Sequence, residues 1–288
     1  MTKIISTAIN KGGVGKTTLI SNIVGSLSPK KETISSKLIS LVSNFFSSQK
    51  SKTNDFPKIL VIDTDGQGNL SLSFNLVPEN IENTLYDVLV GSIPINESII
   101  PINDNIDMIP SNSDMSFIEF DILPKLSTYK EPFKLLKNAL DPIKDDYDYI
   151  FIDTPPAMGL IVGNVLCTST DVIIPYVPEV FAVNGLIRIQ SSIEEFSESF
   201  NPNLNIAGVI GMMVDSRTTL HQDMLQQART HCFEQNIHMF NTVIPKSIRF
   251  ANSNRHGIPA VWSNEKNHLI DSYFDFLDEL INRGVING

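Results

Sequence analysis

The sequence predicts an α/β fold, a mostly parallel central sheet flanked by helices on both faces, and three observations carry that expectation. Short apolar runs alternate with amphipathic stretches, the pattern of repeated strand–helix units. Four of the runs are nearly continuous Ile, Val and Leu, as strands covered on both faces must be. The first run leads straight into a glycine-rich loop, INKGGVGKTTL at Ile9–Leu19.

In chain order, strands are expected at Lys3–Ile9, Lys58–Asp63, Ile106–Ile109, Tyr149–Asp153, Asp171–Pro175, Ile206–Met213 and His238–Ile244, each a short apolar run. Helices are expected at Thr17–Leu27, directly after the glycine loop, and at Phe133–Leu140, Gly185–Phe196, Thr219–Gln235 and Asn267–Asn282. The N-terminal MTKIISTAINKGG turns from its apolar stretch into the loop without a small-residue cleavage site, so it reads as a first strand and not a signal peptide. The chain is long enough to bury one core, and a single domain over residues 1–288 is expected.

One segment departs from this plan. Residues 28–55 read SPKKETISSKLISLVSNFFSSQKSKTND, serine-rich with five lysines against two acids. Ile34, Leu38, Leu41, Val42 and Phe45 recur at helical spacing. Two readings stay open: a helical hairpin packed on the domain edge, or a basic amphipathic helix that contacts a partner or a membrane.

Composition narrows the function classes. Hydrophobic residues make up 42% and charged residues 19%, a globular balance, and no apolar run approaches the ~18 residues of a membrane span. A cytoplasmic protein without a membrane partner is expected. Cys167 and Cys232 lie far apart with no paired spacing, so buried thiols are expected and not a metal site or disulfide. His221, His231, His238, His256 and His268 form no metal-ligand spacing either. A net charge of −10 argues against a surface that binds nucleic acid everywhere, though not against a local basic patch.

The chemistry concentrates at strand ends. A strict phosphate loop reads GxxxxGK[ST], and its first glycine position is Asn10 here. What remains is a strand, then Lys11-Gly12-Gly13-Val14-Gly15-Lys16-Thr17-Thr18, then a helix, the context that gives the motif meaning. The glycines let successive N–H groups point at phosphate oxygens beside a helix N-terminus. Lys16 is the candidate for the β- and γ-phosphates and Thr17 for Mg²⁺. ILVID ends in Asp63, followed by Asp65 between Thr64 and Gly66; YIFID ends in Asp153. Asp153, at a buried strand end beside the loop, is the candidate for a magnesium-bound water. Asp65 is placed to orient an attacking water, or to serve only as a turn aspartate. Lys11, a second lysine five residues before Lys16, has no role in a standard phosphate loop.

KGGVGKTT, IDTDGQGN and IDTPP in this order resemble the deviant Walker A ATPases, a branch of the P-loop NTPases, and in particular the ParA-type plasmid and chromosome partition proteins. Further matches are TLYDVLVG at Thr84–Gly91, DMIPSN at Asp107–Asn112, DVIIPYVPE at Asp171–Glu179, MVDSRT at Met213–Thr218 and IPKSIRFANSNRHGIP at Ile244–Pro259. The resemblance spans nearly the whole chain apart from residues 28–55. It implies that Lys11 is a signature lysine that crosses a dimer interface to the partner's ATP, so that ATP joins two subunits; the alternative is a solvated loop lysine. It further implies that Asp65 is the hydrolytic residue and that Asp63 and Asp153 organise Mg²⁺ and its waters. Thr18 would contact a phosphate, and Met213, Pro245 and Lys246 would hold the adenine of ATP or ADP.

ParA-like proteins bind DNA without sequence preference as ATP-bound dimers, and a ParB-like centromere-binding protein stimulates hydrolysis and release. The implied function is therefore an ATP-dependent DNA segregation ATPase, a nucleoid-associated homodimer when ATP-bound, with slow turnover on its own. Candidate DNA contacts are Arg217, Lys246, Arg249 and Arg255, with Lys266 beside them. A small form without an N-terminal helix-turn-helix domain is expected, because the first strand begins at Lys3. Two departures stand out: the family's usual proline after the Asp65 position is Gly66, and residues 28–55 lengthen a usually short connection. The runner-up is a MinD-like membrane-associated ATPase, but the tail HLIDSYFDFLDELINRGVING is acidic where anionic lipid demands basic residues. An iron–sulfur reductase of the nitrogenase type lacks the two convergent cysteines, and a related tyrosine kinase lacks its tyrosine-rich tail.

Overall fold

The computed structural model describes residues 2–28, 56–247, 257–263 and 268–287. Its centre is an eight-stranded sheet in the order β3-β4-β2-β5-β1-β6-β7-β8. The strands are β1 (Lys3–Thr7), β2 (Ile59–Asp63), β3 (Ile100–Pro101), β4 (Ile106–Ile109), β5 (Tyr149–Asp153), β6 (Asp171–Tyr176), β7 (Asn205–Val214) and β8 (Met239–Pro245). All neighbours pair in parallel except β3 with β4. The longer helices are α1 (Lys16–Leu27), α6 (Leu160–Thr168), α7 (Ala182–Phe200), α8 (Thr219–Glu234) and α9 (His268–Asn282). Short helices α2 (Asn69–Leu72), α3 (Leu85–Leu89), α4 (Ile118–Ile122) and α5 (Leu135–Leu140) lie between β2 and β5 in the chain.

Strand alternation builds two core layers. Ile5, Ile59, Val61 and Phe151 face one layer with Leu19, Ile20 and Ile23 of α1 and Phe276 and Leu280 of α9. Ile4, Leu60, Ile62, Ile150 and Ile152 face the other with Leu85, Ile118, Ile122 and Val165. Both faces are therefore covered, which is why β2 and β5 are buried at every position.

The expected strands all form, within one or two residues at their ends, and Ile106–Ile109 and Tyr149–Asp153 match in full. β3 is too short to carry a pattern. The nine-residue α6, LIVGNVLCT, is buried at every position, so it shows no amphipathic period and reads from sequence as a plain apolar stretch. The expected helix at Phe133–Leu140 starts as a 3₁₀ turn, Pro132–Lys134, and becomes α5 at Leu135, because proline is tolerated only in a first turn. Residues 29–55, where the insertion was read, lie outside the described residues.

The last turns of α1 are closed by a distant tryptophan. The Trp262 indole N–H donates to the Gly25 carbonyl at 3.0 Å and the Ser28 carbonyl at 2.9 Å, and Val261 N–H donates to Asn22 Oδ1 at 3.0 Å. Gly25 is small because this contact is close: a Cβ there would stand 2.6 Å from Val261 Cγ2 and 3.0 Å from Pro259 Cβ. Gly25→Ala therefore overpacks the junction by about 1–3 kcal/mol, which outweighs the ~1 kcal/mol that alanine gains over glycine in a helix. A lower urea midpoint than wild type is the expected outcome, and a higher one would show that helix propensity governs the site.

Candidate nucleotide-binding site

Sheet order puts the exits of β2 and β5 on one side of the β1 exit and that of β6 on the other. The chain leaving β1 must turn within a few residues into α1, and Gly13 and Gly15 make that turn with φ of 71° and 89°, a region open to glycine. A Cβ on Gly15 would also stand 2.9 Å from Met212 Cε. The result is an open cleft of about 690 Å³. The loop Gly12–Thr18, Asp65, Gln67, Asn69, Thr154 and Pro156 line one part of it, and Met212, Met213, Ile244–Ser247 and Tyr273 line the other.

Threonines brace the strand ends. Thr154 Oγ1 donates to the Thr7 carbonyl at 2.7 Å, and Thr64 Oγ1 to the Asp153 carbonyl at 2.6 Å. Both threonines directly follow a strand-ending aspartate, a repeated Asp-Thr pair that was legible in the sequence as a signal and was not read as one.

Two carboxylates are buried where β2 and β5 end side by side, Asp63 opposite Asp153 in register. Asp153 accepts from Thr17 Oγ1 at 2.5 Å and from Thr7 Oγ1 at 3.4 Å. Burial first, then the charge of Asp63, pushes it up to about 7 against the pull of Thr17 and Lys16. Asp63 is raised to about 6, chiefly by burial. Its carboxylate accepts from Ser71 N and Ser71 Oγ, both at 2.8 Å, and from Asp65 N at 3.1 Å. Its oxygens thus hold the turn into α2, and like Asp153 it lies behind the residues that line the cleft. Sequence reading missed Ser71, whose two bonds take up one of those oxygens.

Lys16 is buried in the cleft, 6% exposed, and its Nζ donates to the Lys11 carbonyl at 3.3 Å. Burial lowers its pKa, with Asp153 and Asp65 opposing. Asp65 reaches the cleft and also accepts from Gln67 N at 3.0 Å, an Asx turn, so both readings of it have a physical basis here. Gly66 packs against the 3₁₀ turn Ser113–Phe117, where a Cβ would stand 2.5 Å from Ser116 Oγ. Lys11 goes the other way: its Nζ pairs with Glu179, and both side chains are about half exposed. Glu179 was not among the expected site residues.

Met213, Pro245 and Lys246 all line the cleft, with Lys246 N–H on the Val214 carbonyl at 3.0 Å and Met213 in the left-handed region at φ 53°. The expected basic stripe is not assembled among the described residues. Lys246 belongs to the cleft, Arg217 grips Asp215 with Nε and Nη2 each at 2.8 Å, and Arg249, Arg255 and Lys266 lie outside the described residues. Among the described residues no three His, Cys, Asp or Glu side chains converge as a metal cage, and no helix is long and apolar enough to cross a membrane.

Comparison with known proteins agrees with this geometry. A family model described as an AAA domain matches residues 46–206, a stretch that holds both aspartate-ended strands. An uncharacterized protein of Pseudomonas putida is 31% identical, over 98% of this chain and 96% of its own. The sporulation initiation inhibitor protein Soj of Bacillus subtilis is 28% identical over 99% and 100%, and the chromosome partitioning protein ParA of Myxococcus xanthus 27% over 98% and 88%. The fold is shared with cobyrinic acid a,c-diamide synthase of Mycobacterium smegmatis, solved with an ATP analog and magnesium (TM-score 0.77, 24% identity, 99% and 96% covered). It is shared also with a putative plasmid partition protein of Borrelia burgdorferi bound to AMPPNP (TM-score 0.70, 24% identity, 98% and 100% covered). The chain belongs to this AAA-domain family, among the ParA-type partition ATPases.

Proposed function

We propose that the protein is a Mg²⁺-dependent ATPase that pairs face to face on ATP, binds DNA without sequence preference as that dimer, and lets go when a ParB-like partner stimulates hydrolysis. The observation that carries this reading is the opposite disposition of two lysines in one loop. Lys16 is buried in its own cleft, whereas Lys11 turns outward. Two protomers brought together without nucleotide would oppose like charges, and ATP phosphates reverse the sign of that encounter. The surroundings support a covered face: Val180 and Phe181, beside Glu179, are 58% and 78% exposed, and Pro156 and Ala157 are exposed at the cleft.

Thr17 and Asp153 fit magnesium, because a hydroxyl and a buried carboxylate short of positive charge are hard oxygen donors of the kind that hold Mg²⁺ together with phosphates. Bound there, the ion would neutralise phosphate charge. Lys16 and the loop N–H groups grip the phosphates, Thr18 adds a hydroxyl, and Asp65 orients the attacking water. Met213, Pro245 and Lys246 hold the adenine. No arginine lines the cleft among the described residues, so turnover is slow until a partner supplies or orders positive charge.

DNA contact falls to Arg249 and Arg255, with Lys246 at the cleft rim and Arg217 only if Asp215 yields it. Each site is weak, of order ~10⁻⁴–10⁻⁶ M at physiological salt, and pairing two protomers multiplies the contacts. Dimerisation is thus the DNA switch, and the protein works in the cytoplasm on the nucleoid. The chromosome and plasmid partition roles printed for the Myxococcus and Borrelia proteins support replicon segregation as the task.

Binding to a nonspecific duplex and to anionic liposomes, with ATP, ADP or no nucleotide, tests this reading. DNA binding only with ATP, lost in Lys11→Ala, is expected; liposome binding without DNA binding would move the protein to the MinD-like class. Asp65→Asn is expected to slow hydrolysis by about 100-fold or more while the ATP-dependent dimer persists in sedimentation, and full turnover in this variant would return Asp65 to a turn residue.

The pH dependence of stability has a definite sign. Asp63 and Asp153 have folded-state values raised to about 6 and about 7, so their contribution to stability without ligand is fully present below the ordinary carboxylate range and is lost as pH rises through those values. Its Tm should be higher at pH 5 than at pH 8, Asp153→Asn should flatten the difference, and Mg²⁺ with ATP should restore stability at pH 8. A Tm that rises from pH 5 to pH 8 without ligand would contradict the assignment.

A further inference from the structure

We propose that Glu179 is a positioning residue for Lys11: it holds the Lys11 ammonium outside its own cleft until nucleotide arrives, and so sets the threshold for pairing. The inference rests on the reading of Lys11 as a lysine that acts in trans.

The sheet order sets up the contact. β1 lies between β5 and β6, so the glycine loop leaving β1 has a carboxylate on each side. On the β5 side Asp153 is fully buried and holds Thr17. On the β6 side Glu179 is exposed and holds Lys11. The first contact has a fully buried carboxylate at its centre. The second is a surface pair, weak and screened by salt, which suits a contact that must break in every cycle.

Glu179 is presented from a stiff elbow. Its N–H donates to the Val177 carbonyl at 2.8 Å and its carbonyl accepts from Ala182 N at 3.0 Å. Pro178 precedes it, and Phe181, at the start of the 19-residue α7, is held at φ 64°. A bulky residue rarely adopts that conformation unless its surroundings impose it. The backbone of this hydrogen-bonded turn thus sets the Glu179 carboxylate beside Lys11.

Lys11 is also held at its other end, because the Lys16 Nζ donates to its carbonyl at 3.3 Å. Phosphate entering the cleft competes for the same Lys16 ammonium. Once Lys16 turns to phosphate, the Lys11 backbone is released, and its side chain can exchange Glu179 for the phosphate held by a second copy. Nucleotide binding and release of the trans lysine thus run through one shared donor. Glu179 acts against pairing: removing its charge removes a contact that each protomer has to break.

Sedimentation velocity of the full chain with ATP and Mg²⁺ tests this, on wild type, Glu179→Gln and Glu179→Asp. Glu179→Gln should dimerise roughly 2- to 30-fold more tightly than wild type, since one exposed pair is lost in each of two protomers. Glu179→Asp, which keeps the charge, should fall between the two. The gap between wild type and Glu179→Gln should close as salt rises from about 0.05 M to about 0.5 M, which a merely structural role would not produce. A Glu179→Gln dimer as weak as wild type or weaker overturns the role of Glu179. A wild type that does not dimerise on ATP overturns the reading of Lys11, and this inference with it.

Discussion

Two carboxylates buried side by side at the ends of β2 and β5 are the constraint around which the site is arranged. Parallel register places Asp63 next to Asp153, and neither has water to share the charge. The chain resolves the two differently. Asp63 is satisfied inside the protein by Ser71 and the backbone of Asp65, so it fixes the turn that aims Asp65 at the cleft. Asp153 is left with Thr17, Thr7 and the nearby charge of Lys16. It keeps a demand for positive charge at the mouth of the glycine loop, where Mg²⁺ and phosphate would meet.

The same economy explains the lysines. Lys16 accepts burial because Asp153 and Asp65 oppose part of its desolvation. Lys11 instead pairs with Glu179 at the exit of β6. One short loop thereby carries one cation for its own phosphates and one that faces away. A fold that merely bound nucleotide would need the first alone. The second makes sense when another copy supplies the phosphates, and the exposed Val180 and Phe181 beside Glu179 place apolar surface at the same edge.

Most of the sheet was legible in the sequence, because strands buried on both faces cannot hide their apolar runs. Ile106–Ile109 and Tyr149–Asp153 are read in full for that reason. α6 was not, since a helix buried on every side loses the period that announces it. Lys16, Thr17 and Asp65 lie together on the cleft, because they leave strand ends that meet at one edge of the sheet. The fate of Asp63 was illegible: its partner Ser71 lies eight residues on, and only the fold turns that serine back. Glu179 was illegible for a similar reason, 168 residues from Lys11 and adjacent only through the β1–β6 pairing. Arg217 is a candidate DNA contact in sequence, yet Asp215 two residues before it takes two of its guanidinium donors.

The central claim is that Lys11 serves the nucleotide of a second copy, and a mixing experiment tests it most directly. Lys11→Ala keeps a cleft that holds ATP but has no lysine to offer, and Lys16→Ala offers Lys11 but holds ATP poorly. Each variant alone should fail to associate on ATP. An equimolar mixture should regain ATP-dependent heterodimers in sedimentation, since one composite site joins the ATP of the first to the Lys11 of the second. A mixture as monomeric as its components would contradict the account and leave Lys11 a lysine of its own loop.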